Sequence, residues 1–316
     1  PERPGHAAAV VAEAGGQVGD TGSIQGTNGR FEVTDVQGGK GSVNLHIGLL
    51  SAGIIKVGES VDLQVVDQRR NQIRLNHTAT HLLHAALKSV LGSHVAQKGS
   101  LVDNDRLRFD FSHHKAMTQE EVDAVEMAVY KQVLSNTPVA TDLMDLDQAV
   151  SSGAMALFGE KYTENVRVVS VGDFSKELCG GTHANATGNI GLFKITSEAG
   201  VAAGVRRIEA VTGPGAFAWM TETNRAATSA SQRLKSTVAQ LPEALEKLVS
   251  ERKRLEKEVE SLRRELAKQA SSDLLSTVRE INGVPVLSAE LPGDANTLRD
   301  QADSLRSKLG SGVVVL

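Results

Sequence analysis

A chain of 316 residues, 40% of them hydrophobic, can bury at least one sizeable core and is long enough for two or three domains. Its formal charge of -4 and its 3% aromatic content exclude a uniformly basic nucleic-acid binder and leave few stacking platforms, while a local basic patch stays available for RNA. No run of about 18 apolar residues exists, so no membrane anchor is visible. The single cysteine, Cys179, cannot form an internal disulfide, which fits a reducing, cytoplasmic setting. Pro1-Glu2-Arg3-Pro4-Gly5 has neither a starting Met nor a signal-peptide apolar region, so the chain reads as cut from something longer.

Residues 1–70 are punctuated by Gly15-Gly16, Gly22, Asn28-Gly29 and Gly38-Gly39, with short apolar runs such as Phe31 to Val36 and Val61 to Val66 between them. That rhythm predicts a β-barrel-like module or an open sheet. Asn76 is a candidate N-cap for a helix whose apolar positions continue through Leu83, Leu87 and Leu91 to a stop at Gly92. Leu107-Arg108-Phe109-Asp110-Phe111 alternates with the period of a strand, and Thr118-Gln119-Glu120-Glu121 is a capping box opening a second helix toward Leu134. With further strands expected at Val166 to Val171, Ile190 to Ile195 and Arg207 to Val211, residues 71–212 read as an α+β core.

After Gly213-Pro214-Gly215 the strand signals stop. Leu234, Val238, Leu241, Leu245, Leu248, Leu255, Val259, Leu262 and Leu266 follow the spacing of a heptad seam, with Arg252 in its one polar slot. Proline costs roughly 3 kcal/mol inside a helix, so Pro242 predicts one helix ending near Gln240 and another starting at the proline. Residues 213–280 are thus expected to form a helical hairpin or coiled coil, with the mixed charges of Glu251 to Lys257 on its solvated face. Val284 to Leu287, a helix from Asn296 to Leu309 and Val313 to Leu316 predict the opening of an α/β C-terminal domain over 281–316, its remaining strands lying beyond the chain.

Chemistry concentrates in two short segments. His77 and His81 lie four apart, a spacing that brings two imidazoles to one helix face about 6 Å apart. Cys179-Gly180-Gly181-Thr182-His183 repeats that spacing around a glycine pair that lets the backbone bend tightly. Imidazole and thiolate are the donors Zn²⁺ prefers. Each piece also has a plainer reading: half-exposed helix histidines, a small buried hydrophobe at Cys179, or a Cys/His nucleophilic pair. His84 could share the ligand face, whereas His94, His113 and His114 read as ordinary residues. Four protein ligands usually mean a structural zinc site, and hydrolytic sites keep a position open; the sequence leaves both readings standing.

Taken in order, Leu75 to Leu87, Gln97 to Val102, Leu107 to Phe111, Phe158-Gly159-Glu160-Lys161-Tyr162, Cys179 to His183 and Gly204 to Ala210 resemble the editing domain of alanyl-tRNA synthetases. The resemblance spans essentially the whole chain, from Ala14-Gly15-Gly16-Gln17-Val18-Gly19-Asp20 through the helical part to the start of a C-terminal domain. Ala7 to Glu13 departs from it, lacking the aromatic pair expected before Gly15-Gly16-Gln17.

The resemblance implies hydrolysis of alanine tRNA mischarged with serine or glycine. It places zinc on His77, His81, Cys179 and His183, catalytic roles on Thr80, Gln97 and Cys179, and the tRNA acceptor end against Gly180, Gly181, Thr182 and Arg206. ATP and Mg²⁺ would serve only the aminoacylation domain, which has no counterpart here. A homodimer through the helical and C-terminal region stays open, and neither DNA nor a membrane is an expected partner. A pocket that admits alanine cannot sterically exclude glycine and rejects serine poorly, so a second site that reads the serine hydroxyl is useful. Thr80, one residue before a ligand, would present its hydroxyl to the serine side chain. Zinc would lower the pKa of a water toward about 7 or orient the ester. No general base stands out, since Asp110, Glu160 and Glu177 all suit structural duties. Two alternatives remain: a free-standing editing deacylase, and a non-catalytic, zinc-stabilised module for tRNA binding or dimerisation.

Overall fold

Gly15 and Gly16 take φ of 59° and 81°, the left-handed pair that a two-residue hairpin turn requires, and Ala14 and Gln17 exchange backbone hydrogen bonds across them at 3.1 and 2.9 Å. This turn opens the first of two units, Pro1–Thr223 and Asn224–Leu316. The structure is a computed structural model that describes residues 10–39, 43–155, 164–291 and 295–316. The expected Phe158 to Tyr162 motif, with Glu160, and the first three residues of the departing Ala7 to Glu13 segment lie outside the described residues.

In the first unit, β1 (Gly22–Gln25), β2 (Gly29–Gly38), β3 (Asn44–Gly53) and β4 (Asp62–Val65) form an antiparallel sheet in the order β3-β2-β1-β4. Of the two forms expected the sheet is the open one, and the barrel-like module is not formed. Closure would need β3 to pair with β4, but β4 is four residues long against ten for β3, and among the described residues β3 pairs only with β2. The outer strand stays accessible, with Leu49 72% exposed.

Helix α1 (Asp67–Leu91) begins nine residues before the predicted cap (76 - 67) and stops at Gly92 as expected. Asn76 is interior to the helix. Its amide donates to the Asp103 carbonyl at 2.8 Å and accepts from the Thr212 hydroxyl at 2.6 Å, so tertiary partners consume the groups that would have capped. The second sheet, β10-β11-β6-β5, is antiparallel throughout and consists of β5 (Gln97–Val102), β6 (Leu107–Ser112), β10 (Phe193–Ala202) and β11 (Val205–Thr212). Leu82, Leu83 and Leu87 of α1 pack with Phe109, Phe111 and Ile208 of this sheet in the main core. Helix α2 (Gln119–Ser135) adds Val125 and Val129, and its predicted capping box is present, with Glu121 N–H donating to Thr118 Oγ1 at 3.2 Å and Thr118 N–H to Glu121 Oε2 at 2.9 Å.

A third sheet, β7-β8-β9, is built from β7 (Val139–Asp145), β8 (Asn165–Val171) and β9 (Ser175–Leu178), also antiparallel. With helix α3 (Leu146–Ser151) it encloses a small core of Ala149, Val166, Val168 and Leu178. Helix α4 (Gly213–Arg233) follows, and the next stretch is not α-helical up to a short 3-10 turn at Val238–Gln240. The helix therefore ends earlier than Pro242 predicted; Lys235 adopts φ 50°, which ends helical geometry.

In the second unit, α5 (Leu241–Leu275) carries Pro242 in its first turn, where the missing N–H costs nothing. Its seam is exposed, from 47% at Leu245 to 64% at Leu266, so the expected coiled-coil contact is not formed among the described residues. Strands β12 (Arg279–Ile281), β13 (Val284–Ser288) and β14 (Val313–Val315) make a sheet in that order, and β13 and β14 run parallel on either side of helix α6 (Ala295–Leu309), a β-α-β unit. Among the described residues no helix is long and apolar enough to cross a membrane.

Candidate metal centre

Helix α1 presents His77 and His81 one turn apart, and β9 ends at Leu178 so that Cys179 opens the loop leading to His183. Arg167, on β8, clamps this loop: its backbone carbonyl accepts from Cys179 N–H at 2.9 Å, and its guanidinium donates to the carbonyls of Cys179 (3.2 Å) and Gly181. The four buried side chains His77, His81, Cys179 and His183 bring one ligand atom each to within 4.8 Å of one another. Both His77 Nε2 and His183 Nε2 lie 3.3 Å from Cys179 Sγ.

The outward-facing nitrogens have oxygen neighbours. His77 Nδ1 is 2.8 Å from Gln17 Oε1, and His183 Nδ1 is 3.2 Å from Thr78 Oγ1, which also accepts from Ala184 N–H at 2.9 Å. His81 Nδ1 faces Glu177 Oε2 at 3.4 Å, an ion-pair distance without hydrogen-bond geometry. Imidazoles that turn Nε2 inward and hold Nδ1 against an oxygen are arranged as metal-ligating histidines are, with tautomer and ring orientation set from outside.

Charge supports the same reading. Burial alone would push the Cys179 thiol up, but the imidazoles of His77, His183 and His81 outweigh it and hold the thiol well below its ordinary value. Against burial, Glu177 and then Cys179 raise His81 to about 9. Burial, reinforced by His77, lowers His183 to about 3. Glu177 lies below the usual carboxylate range: burial opposes its ionisation, and His81 and His84 overcome that. A thiol held low beside three imidazoles makes a donor set of the kind zinc takes.

The other expected site residues divide. Gly181 packs directly on the centre, since a Cβ there would stand 2.1 Å from His77 Cε1, whereas one on Gly180 would meet only Ala14 Cβ at 3.9 Å. Thr182 donates its N–H (2.8 Å) and its hydroxyl (3.1 Å) to Gln17 Oε1, so both groups tether the loop. Thr80 is buried and its hydroxyl donates to the Asn76 carbonyl at 2.8 Å, leaving only lone pairs for other partners. Gln97 and Arg206 occupy one row of the second sheet, on either side of Phe111. Arg206 is already paired, both nitrogens of its fork meeting Glu198 at 2.5 and 2.7 Å. His84 turns to Glu177 Oε1 at 3.1 Å. Asp110 is bound by Arg207 at 2.6 and 2.8 Å, a structural duty.

Gln17, Thr78 and Arg167 escaped the sequence reading as members of this centre. Gln17 carried a signal, following a glycine pair that only a tight turn explains; Arg167 carried none, being one polar residue in an alternating strand. An open cleft of about 290 Å³ lies beside His183, with Asn71 and Arg74 of α1 on its wall.

Two family models match this chain. One, described as tRNA synthetases class II (A), covers residues 7–70 and includes Gln17. The other, the threonyl and alanyl tRNA synthetase second additional domain, covers residues 166–209 and includes Cys179 and His183. Residues of both matched segments meet at the candidate metal centre, and the two matches together support a fragment of an alanyl- or threonyl-tRNA synthetase.

Proposed function

We propose that this chain carries an editing site that hydrolyses the ester of alanine tRNA mischarged with serine or glycine, with zinc held by His77, His81, Cys179 and His183. The observation that carries the reading is the buried quartet of three imidazoles and one low-pKa thiol, two of whose members lie inside the segment matched to the second additional domain. A zinc ion held there would supply Lewis-acid polarisation of the ester carbonyl.

The chain's own residues do the rest. Gln17, Thr78 and Glu177 hold the three rings in one orientation, and Arg167 keeps the Cys179 to Gly181 backbone bent. Thr80 receives the serine hydroxyl on its remaining lone pairs, which fits a hydroxyl whose proton is committed to Asn76. Gln97 and Arg206 flank the path of the RNA end, Arg206 exchanging Glu198 for a phosphate when RNA arrives. Hydrolysis adds water oxygen to the ester carbonyl carbon, breaks the bond to the ribose oxygen and returns a proton to that oxygen. Cys179 acts as a ligand, because its sulfur lies within 3.3 Å of two imidazole nitrogens.

A second reading has one observation in its favour: all four ligands are buried, as in closed structural sites. Single-turnover deacylation of seryl-, glycyl- and alanyl-tRNA separates the two. Hydrolysis of the first two but not the third, lost in Cys179→Ala and His77→Ala proteins that stay folded, is the expected result. Wild-type rates in both variants would leave only the structural role.

A further inference from the structure

Helix α1 places Asn71, Arg74 and His77 at intervals of three residues, so they follow one another along one face, each step advancing about 4.5 Å at 1.5 Å per residue. Asn71 and Arg74 line the cleft beside His183, and Asn185 and Asn189 line its other side. None of its lining residues is acidic. The Arg74 side chain makes no hydrogen bond or ion pair among the described residues, and its Nε is buried without an acceptor. A buried donor left unmade costs roughly 1–3 kcal/mol, more for a charged group, so this guanidinium is poised for an anionic partner that enters the cleft.

The surroundings suit a phosphate with a sugar attached. Asn189 Oδ1 accepts from Ala186 N–H at 3.1 Å, which leaves its NH₂ to donate into the cleft. The Asn185 carbonyl accepts from Val139 N–H at 2.9 Å, pinning the segment after His183 to β7, so the wall is preformed. A volume of about 290 Å³ is at the lower edge of the roughly 300–1,000 Å³ of small-molecule sites, which suits one nucleotide. In an aminoacylated RNA the ester and the phosphate of the terminal nucleoside are separated by a single ribose, and His183 and Arg74 border the same small cleft.

We infer that this cleft receives the terminal nucleotide of the charged RNA, with Arg74 binding its phosphate in a fork and the asparagine amides addressing the ribose. The inference rests on the hydrolytic reading only for the identity of the ester. Arg74 is a binding and positioning residue.

Fluorescence anisotropy of the whole chain with an uncharged RNA hairpin ending in single-stranded CCA, and with the same hairpin lacking the terminal adenosine, tests it. Removing that nucleotide should weaken binding about tenfold, and Arg74→Ala should weaken the complete RNA to the same degree. Arg74→Ala should also lower the salt slope by about 0.7, the loss of one phosphate contact on a single strand. Arg74→Lys, which keeps the charge without the fork, should fall between, and Asn71→Asp, which sets a carboxylate in the cleft, should weaken binding as well. Affinity within twofold of wild type for Arg74→Ala overturns the inference, as does indifference to the terminal nucleotide. Should Arg74→Ala unfold, judged by circular dichroism, unchanged affinity in both Arg74→Lys and Asn71→Asp overturns it. Arg74-dependent binding without ester hydrolysis would sink the hydrolytic reading and leave the cleft standing; hydrolysis with Arg74-independent binding would do the reverse.

Discussion

His77 Nδ1 donates to Gln17 Oε1 across 2.8 Å, joining positions 60 residues apart in the chain. The direction is fixed, because an amide oxygen only accepts, and the same oxygen also receives the N–H and hydroxyl of Thr182. One side chain thus orients the His77 ring and ties down the loop from Cys179 to His183. Gln17→Leu should keep the fold and weaken zinc about 10–100-fold, the usual cost of losing an outer partner. Competition against a chromophoric zinc chelator measures this, and unchanged affinity would remove Gln17 from the site.

The two glycines of the loop should behave differently. A methyl group on Gly181 would lie 2.1 and 2.4 Å from the His77 ring and 2.9 Å from Gln17 Oε1, so Gly181→Ala must displace the ring or the loop. Gly180→Ala meets nothing nearer than 3.9 Å. Metal analysis of the purified proteins should find zinc largely lost from the first and retained in the second. Equal zinc in both would contradict the contact of Gly181 with the His77 ring.

Asp20 and Arg70 form a buried pair that anchors the segment before β1 to helix α1. Asp20 Oδ1 accepts from Arg70 Nε at 2.7 Å, and Oδ2 accepts from Val11 N–H at 2.6 Å. Asp20→Ala leaves a guanidinium at 4% exposure short of its carboxylate and should cost about 3–5 kcal/mol. Arg30→Ala, which breaks a pair 46% and 44% exposed, should cost no more than about 1 kcal/mol. Urea unfolding followed by the fluorescence of Trp219, the only tryptophan, compares them.

His113 should make stability depend on mild acid. Burial, and then the neighbouring His94, whose Nε2 is 2.9 Å from its Nδ1, hold His113 below the ordinary imidazole value of 6.5. Lys115 and His114 act in the same sense and Glu121 against it. Because the folded state binds this proton less readily than the unfolded chain, His113 contributes its full stability above pH 6.5. That contribution declines as pH falls from 6.5 toward the folded value. His113→Gln should therefore show a shallower loss of urea midpoint between about pH 7.5 and pH 5.5 than wild type. Parallel curves would show that His113 titrates normally.

Much of this molecule is legible without coordinates, because some of its signals are local. The capping box at Thr118 and Glu121 and the alternation at Leu107 to Phe111 involve residues a few positions apart, and the backbone enforces their geometry. The ligand pairs are local in the same way: helical pitch aligns His77 with His81, and two glycines let Cys179 and His183 turn toward each other. Donor chemistry then selects the ion class, since three imidazoles and a thiol suit zinc whatever the fold.

What packing alone decided is who answers each buried polar group. Asn76 looked like a cap and became a bridge to Asp103 and Thr212. Of the expected barrel-like module and open sheet, packing chose the open sheet, because strand closure depends on lengths and register between distant segments. Gln17, Glu177 and Thr78 reach their histidines across 60, 93 and 105 positions, as the pairs with His77, His84 and His183 show. Such partners are chosen by the cost of leaving a buried donor unmade, and that cost exists only after the chain has folded. Spacing along the chain sets which atoms can hold a metal; packing sets how they are aimed, which charges face them and where a cleft opens beside them.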